Sequence, residues 1–138
     1  MTGYSYTTLA KKLGIKAGAK VMLINAPVYY PDLFTDMPPD VYFADNASLQ
    51  NDVIHFFSKS ADEYRAMLPK LMGQIKQDGM IWISWPKKAS KVITDITEDL
   101  VRSLALQTGM VDIKVCSVDD VWSGLKLVIP LKDRKQMT

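Results

Sequence analysis

The sequence predicts an α/β domain on a mostly parallel sheet of about six strands, closed at one edge by an antiparallel hairpin. Three observations carry this. The runs Val21–Ile24, Val53–Phe57 and Met80–Trp85 are continuously apolar, the habit of strands covered on both faces of a parallel sheet. Helical segments with capping signals separate the later runs, which calls for right-handed crossovers with helices packed on the sheet. The last two runs, VDIKVCSV and WSGLKLVIP, instead alternate with a period of two and lie close enough in sequence to pair as a hairpin.

In chain order, SYTTLAKKLGIKAG reads as a short helix ending near Gly14, with Gly18 in the following turn and Leu9, Leu13 and Ile15 as anchors. Pro27 stops the first strand, because it donates nothing to a ladder. Residues 29–34 suit a short helix with Pro31 near its start. The Pro38–Pro39 pair forces an extended turn, and Val41–Ala44 reads as a short strand near one edge. After Val53–Phe57, Ser60 and Glu63 form a capping box. Tyr64, Leu68, Leu71 and Ile75 then make a helical stripe. Pro69 should kink or restart that helix, and Asp78–Gly79 should end it. Asp95 and Glu98 suggest a second box, opening a helix that buries Ile96, Leu100, Val101 and Leu104 and is capped by Gly109. In the hairpin, Val111, Ile113 and Val115 form the apolar face, and a bulge accounts for Gly124. Met67, Met72 and Met80 suit irregular core gaps.

Size and composition narrow the function classes. The 138 residues suit one domain over residues 1–131, followed by a basic C-terminal tail over residues 132–138 in which Lys132, Arg134 and Lys135 surround Asp133. Apolar residues make up 48% and charged residues 23%, the globular average, which argues against disorder. Seventeen basic against 15 acidic residues give a net charge of +2, too balanced for a nucleic-acid footprint. Cys116 and His55 are the only residues of their types, so no intrachain disulfide and none of the usual zinc sets can form. No apolar run approaches the roughly 18–20 residues that span a bilayer, and no secretory leader is evident. A cytoplasmic location, with no nucleic-acid or membrane partner and an open oligomeric state, is the expectation.

LGIKAGAKVMLINAP resembles the approach to the first strand of methyltransferases, and the Gly79–Ser84 segment resembles the strand after the fourth helix of those enzymes. INAP, ISWPKKAS, TDITEDLVR, IKVCSVDD and WSGLKLV together resemble an uncharacterised bacterial family. That family is a domain of unknown function with an S-adenosylmethionine-methyltransferase-like fold. The similarity runs roughly from Tyr4 to Val128. It implies a three-layer, Rossmann-like sheet with strand order 2-1-3-4-6-5, numbered along the chain. It implies no activity.

In such a sheet ligands sit beyond the carboxyl ends of the strands, where the strand order reverses. Here that region comprises Asn25, Pro27, Ser58 and Lys59, bordered by the loop from Trp85 to Lys91. The methyltransferases that the chain resembles grip S-adenosylmethionine with a glycine-rich turn after the first strand and an acidic residue after the second. Asn25-Ala26-Pro27-Val28 contains no glycine, and Pro27 removes a backbone donor. Asp45 is the only stand-in for the acid. No cofactor is therefore expected. The phosphate-cradling loop and the dinucleotide glycine fingerprint are also absent.

The remaining candidates each have a plainer reading beside the functional one. Lys87 and Lys88 could clamp an anion near a helix N-terminus or simply be solvated. Trp85 and Trp122 could wall a planar ligand or pack. His55, mid-strand, reads as a buried hydrogen-bonded imidazole, Cys116 as inert, and Ser123 lacks the pattern of a hydrolase nucleophile. The leading expectation is a ligand-binding or non-catalytic methyltransferase-like domain with a regulatory or interaction role. The alternatives are a small enzyme acting on an anionic metabolite through Asn25, Lys87 and Lys88, and an interaction subunit pairing through a sheet edge.

Overall fold

A computed structural model describes residues 7–135 of the chain. The elements run α1 (Leu9–Leu13), β1 (Lys20–Ile24), β2 (Tyr42–Ala44), β3 (Asn51–Phe57), α2 (Ala61–Met72), β4 (Ile75–Pro86), α3 (Glu98–Thr108), β5 (Val111–Ser117) and β6 (Trp122–Val128). They form one six-stranded sheet in the order β2-β1-β3-β4-β6-β5. β1 pairs in parallel with β2 and β3, and β3 with β4, whereas β6 runs antiparallel to both β4 and β5. This is the architecture that the apolar runs and the alternating hairpin predict.

Each sheet face carries its own core. On one, Ile54, Phe56, Ile81 and Ile83 pack under Tyr64, Leu68 and Leu71 of α2 and Val101 and Ala105 of α3. The Tyr64 hydroxyl donates to the Val101 carbonyl at 2.8 Å and so ties the two helices together. On the other face, Val21, Val53, Phe57 and Trp82 meet Leu9, Leu13, Ile15 and Tyr30. The Trp82 indole donates to the Leu13 carbonyl at 2.8 Å, so α1 is pinned by a buried polar contact as well as by area. Burial of each of these large side chains contributes about 1.5–3 kcal/mol. Residues 29–34 form only a 3-10 turn over Tyr30–Leu33, with Pro31 in its first turn.

Several boundaries differ from the sequence reading, each for a local reason. α2 passes through Pro69, which leaves the Arg65 carbonyl without its helical donor, and ends at Met72. Ile75, Asp78 and Gly79 therefore belong to β4. A register shift between Asn51 and Val53 brings β3 against Gly79, where a Cβ would lie 2.9 Å from the Asn51 carbonyl oxygen. Gly79 thus permits a close backbone approach and does not end a helix. Asp95 does not open α3. Its carboxylate accepts from the Ala61 N–H at 2.7 Å and caps α2 from outside, while Thr97 caps α3 by accepting from Leu100 N–H at 3.2 Å.

The hairpin departs furthest. A register shift between Asp112 and Lys114 interrupts β5, so the bulge lies there. Gly124 sits in regular register, where a side chain would meet Trp82 and Val118 at 3.2 Å. The shift breaks the expected alternation, and Ile113 and Val115 are 53% and 41% exposed on this edge strand. After β6, Leu131–Asp133 form a 3-10 turn. Arg134 Nε donates to the Ile129 carbonyl at 2.9 Å and Lys135 N–H to Gln77 Oε1 at 2.9 Å. The last residues of the expected tail, 136–138, lie outside the described residues. Among the described residues, no helix is long and apolar enough to cross a membrane.

Candidate functional site

The strand order reverses direction at β1, with β2 on one side and β3 on the other. Beyond the carboxyl ends of β1 and β3 lies a cavity of about 450 Å³, bounded by Asn25, Pro27, Phe57, Ser58, Glu63 and Trp122. Five of the residues singled out from the sequence, Asn25, Pro27, Ser58, Lys59 and Trp122, meet here. Glu63 joins them from the first turn of α2.

The polar side is a network of three side chains. Asn25 is held at φ 59°, in the left-handed region, which asparagine enters more readily than most residues. That turn directs its amide to the Phe57 carbonyl and to Glu63 Oε2, both at 3.1 Å. Ser58 Oγ donates to the other Glu63 oxygen at 2.5 Å and accepts from Ser60 N–H. The capping box is therefore only half formed. Ser60 Oγ accepts from Glu63 N–H, but the Glu63 carboxylate turns into the cavity instead of back to Ser60. Its charge still favours the helix N-terminus that carries it.

The apolar side is Phe57 and Trp122, edge to face with centroids 5.0 Å apart. Trp122 Nε1 donates to the Tyr29 hydroxyl at 3.2 Å. Partial burial and the Asp119 carboxylate push the Tyr29 phenol above its ordinary pKa. Asp119 also closes the β5–β6 turn by accepting from Val121 N–H and Trp122 N–H, which fixes where Trp122 enters the site.

The other candidates go elsewhere. Trp85 packs with the α2–α3 core and Trp122 with the opposite one, so they form no common wall. Trp85 and Lys88 line a separate cavity of about 660 Å³ with Lys91, Ile93 and Glu98. Lys87 turns away from Lys88 and donates to Ser117 Oγ on β5 at 2.6 Å, so the two ammonium groups do not converge as a clamp. Asp45 accepts from Ala47 N–H at 3.0 Å and closes its own turn.

His55 is fully buried. Its Nδ1 meets the Tyr30 hydroxyl at 2.9 Å and its Nε2 meets Ser84 Oγ at 2.8 Å. Burial lowers its pKa to about 3, so it is neutral at pH 7 and bridges β3 to β4 and to the Tyr30 turn. Burial raises the pKa of the Cys116 thiol despite three nearby lysines, so the thiolate is disfavoured. Among the described residues, no group of three or more His, Cys, Asp or Glu could hold a metal ion.

Glu63, Phe57 and Tyr29 were not legible as site residues. Glu63 was hidden by its capping position, and Phe57 by its place in an apolar run. The backbone at Asn25 to Val28 also bears on S-adenosylmethionine. Three side chains and a proline occupy the turn where the methyltransferases that the sequence resembles use glycines, and Asn25 already spends its amide inside the protein. These residues do not fit a cofactor held by close approach of bare backbone.

No protein-family model and no curated protein matches the sequence. Solved structures do match the fold. A SAM-dependent methyltransferase from Aquifex aeolicus superposes with a TM-score of 0.60 at 15% identity, covering 88% of each chain. A TehB-like SAM-dependent methyltransferase from Corynebacterium glutamicum gives 0.58 at 11% identity, covering 88% of this chain and 85% of that one. Magnesium protoporphyrin IX methyltransferase from Synechocystis, with bound SAM, gives 0.59 at 14% identity, covering 88% and 74%. The chain therefore has the Rossmann-like fold of SAM-dependent methyltransferases.

Proposed function

We propose that this domain is a small-molecule-binding module on a methyltransferase scaffold, with a regulatory or interaction role. Its ligand would be held by side chains in the β1–β3 cavity. The observation that supports this is the Glu63 carboxylate, oriented by Asn25 and Ser58 opposite the Phe57–Trp122 pair. A carboxylate facing an aromatic wall suits a ligand with a planar apolar body and an amine or other donor end. It disfavours the anionic ligand that Lys87 and Lys88 suggest from sequence. The test is a matched pair of probes in NMR titrations, tryptamine against indoleacetate. The amine should shift Asn25, Ser58 and Trp122 saturably, and the carboxylate should not. Binding of the carboxylate alone, or of neither, would remove the proposal.

A second reading is methyl transfer. It is favoured by neighbours of the same fold whose structures hold SAM or SAH. In that reading Glu63 would face a cationic cofactor, and the side-chain-bearing turn would have to accept what glycine accepts elsewhere. Adding S-adenosylmethionine to the same titration separates the two.

A further inference from the structure

The cavity beyond β1 and β3 is lined by one side chain of each charge, Glu63 and Lys59. Among the described residues neither forms an ion pair, with the other or with a third group. Local bonding keeps them apart. Asn25 and Ser58 hold the Glu63 carboxylate on the β1 side of the cavity. The Lys59 carbonyl is tied the other way, to the loop before α3, by the Thr94 hydroxyl at 2.7 Å and the Asp95 N–H at 3.4 Å. Asp95 does not neutralise Lys59 either, because its carboxylate caps α2 at the Ala61 N–H. A carboxylate offers about four lone-pair sites. Asn25 and Ser58 take one on each oxygen, so Glu63 can still accept from an ammonium group.

We propose that this cavity binds a free aromatic α-amino acid, with its ammonium on Glu63, its carboxylate on Lys59 and its ring toward Trp122 and Pro27. The inference rests on the β1–β3 cavity being a ligand site for an amine, and it adds the second charge of that ligand. A simple amine satisfies Glu63 but brings like charge to Lys59, and a simple carboxylate does the reverse. A zwitterion serves both groups at once. An α-amino acid carries its two charged groups on a single carbon, which suits opposite charges that share a cavity of about 450 Å³, toward the small end of ligand sites. Lys59 can follow the ligand as a point charge on a flexible stem, whereas the oriented carboxylate of Glu63 fixes where the ammonium sits.

The test is calorimetric titration of the full chain with four compounds that share one ring: tryptophan, tryptamine, N-acetyltryptophan and indoleacetate. Tryptophan should bind at least about tenfold tighter than tryptamine, and the two compounds without an ammonium group should not bind. Lys59→Gln keeps the carbonyl that Thr94 and Asp95 use. In this variant tryptophan should fall to the level of tryptamine, while tryptamine keeps its affinity and so reports an intact cavity. In Glu63→Gln both should weaken at least about tenfold. Tryptamine binding that tryptophan does not improve, or an advantage of tryptophan that survives Lys59→Gln, would overturn this inference and leave the amine-binding reading standing. Failure of both tryptophan and tryptamine to bind would overturn that reading and this inference with it.

Discussion

The amide of Asn25, at the end of β1, and the carboxylate of Glu63, in the first turn of α2, meet at 3.1 Å across the carboxyl edge of the sheet. Asn25 reaches that position only through its left-handed backbone. One contact thus couples the strand-ending turn, the cavity and the crossover helix. Replacing Asn25 with alanine keeps the unfavourable φ and loses both amide bonds. It should destabilise by about 2 kcal/mol. Asn25→Gly relieves the backbone and should cost less than Asn25→Ala. Denaturant midpoints at constant m-value measure the difference, and equal or reversed costs would show that the turn is not what the side chain maintains.

Glu63→Gln preserves shape but removes the charge and turns one of the two oxygens that accept from Asn25 and Ser58 into a donor. Stability should fall by about 0.3–1 kcal/mol from the lost interaction with the α2 N-terminus. Affinity for an amine-bearing probe should fall at least about tenfold. Unchanged probe binding would mean that Glu63 serves only as a helix residue.

The buried His55 makes a pH prediction. Its folded pKa of about 3 lies below the ordinary imidazole value of 6.5, so between these values the unfolded chain holds the extra proton. Its contribution to stability is present above pH 6.5 and is lost as pH falls toward 3, with a slope of up to about 1.4 kcal/mol per pH unit. His55→Leu should be less stable than wild type at pH 7, because Tyr30 and Ser84 lose their partner. The difference should shrink on acidification. Urea melts at pH 7 and pH 5 compare the two, and a gap that stays constant contradicts a neutral buried imidazole.

Two substitutions test the corrected boundaries. Gly79→Ala drives a Cβ to 2.9 Å from backbone oxygen and should cost about 2–3 kcal/mol, the range of overpacking. A glycine serving only to end a helix would cost far less. Asp95→Ala should cost about 1 kcal/mol by uncapping α2. Amide exchange should accelerate at Ala61 in this variant and remain unchanged at Glu98.

The sheet was legible because its strands advertise burial on both faces. Val53–Phe57 and Met80–Trp85 needed no more than their continuous apolar character, and the hairpin needed only its alternation. Strand order followed from those elements together with a family resemblance. The errors arose where a residue serves a distant partner. Asp95 looks local to α3 yet caps α2, 34 residues earlier in sequence. Gly79 looks like a helix stop because the register shift that demands it shows only in the pairing, where two steps of β3 face five of β4. Ile113 and Val115 read as a core face, but the register shift that exposes them depends on pairing with β6. At the site, the crevice location and Asn25, Pro27, Ser58, Lys59 and Trp122 could be read from strand ends. Glu63 could not, since the same sequence position also satisfies a capping motif.

The account rests most heavily on recognition by side chains at Glu63 in place of bare backbone at residues 25–28. Calorimetric titration of S-adenosylmethionine into the purified chain, with amide shifts followed in parallel, addresses this directly. The prediction is no binding tighter than about 1 mM, with any weak shifts at Asn25 to Val28 abolished in Glu63→Gln. Micromolar binding whose shifts at those amides persist in Glu63→Gln would contradict it, and would make methyl transfer the better reading.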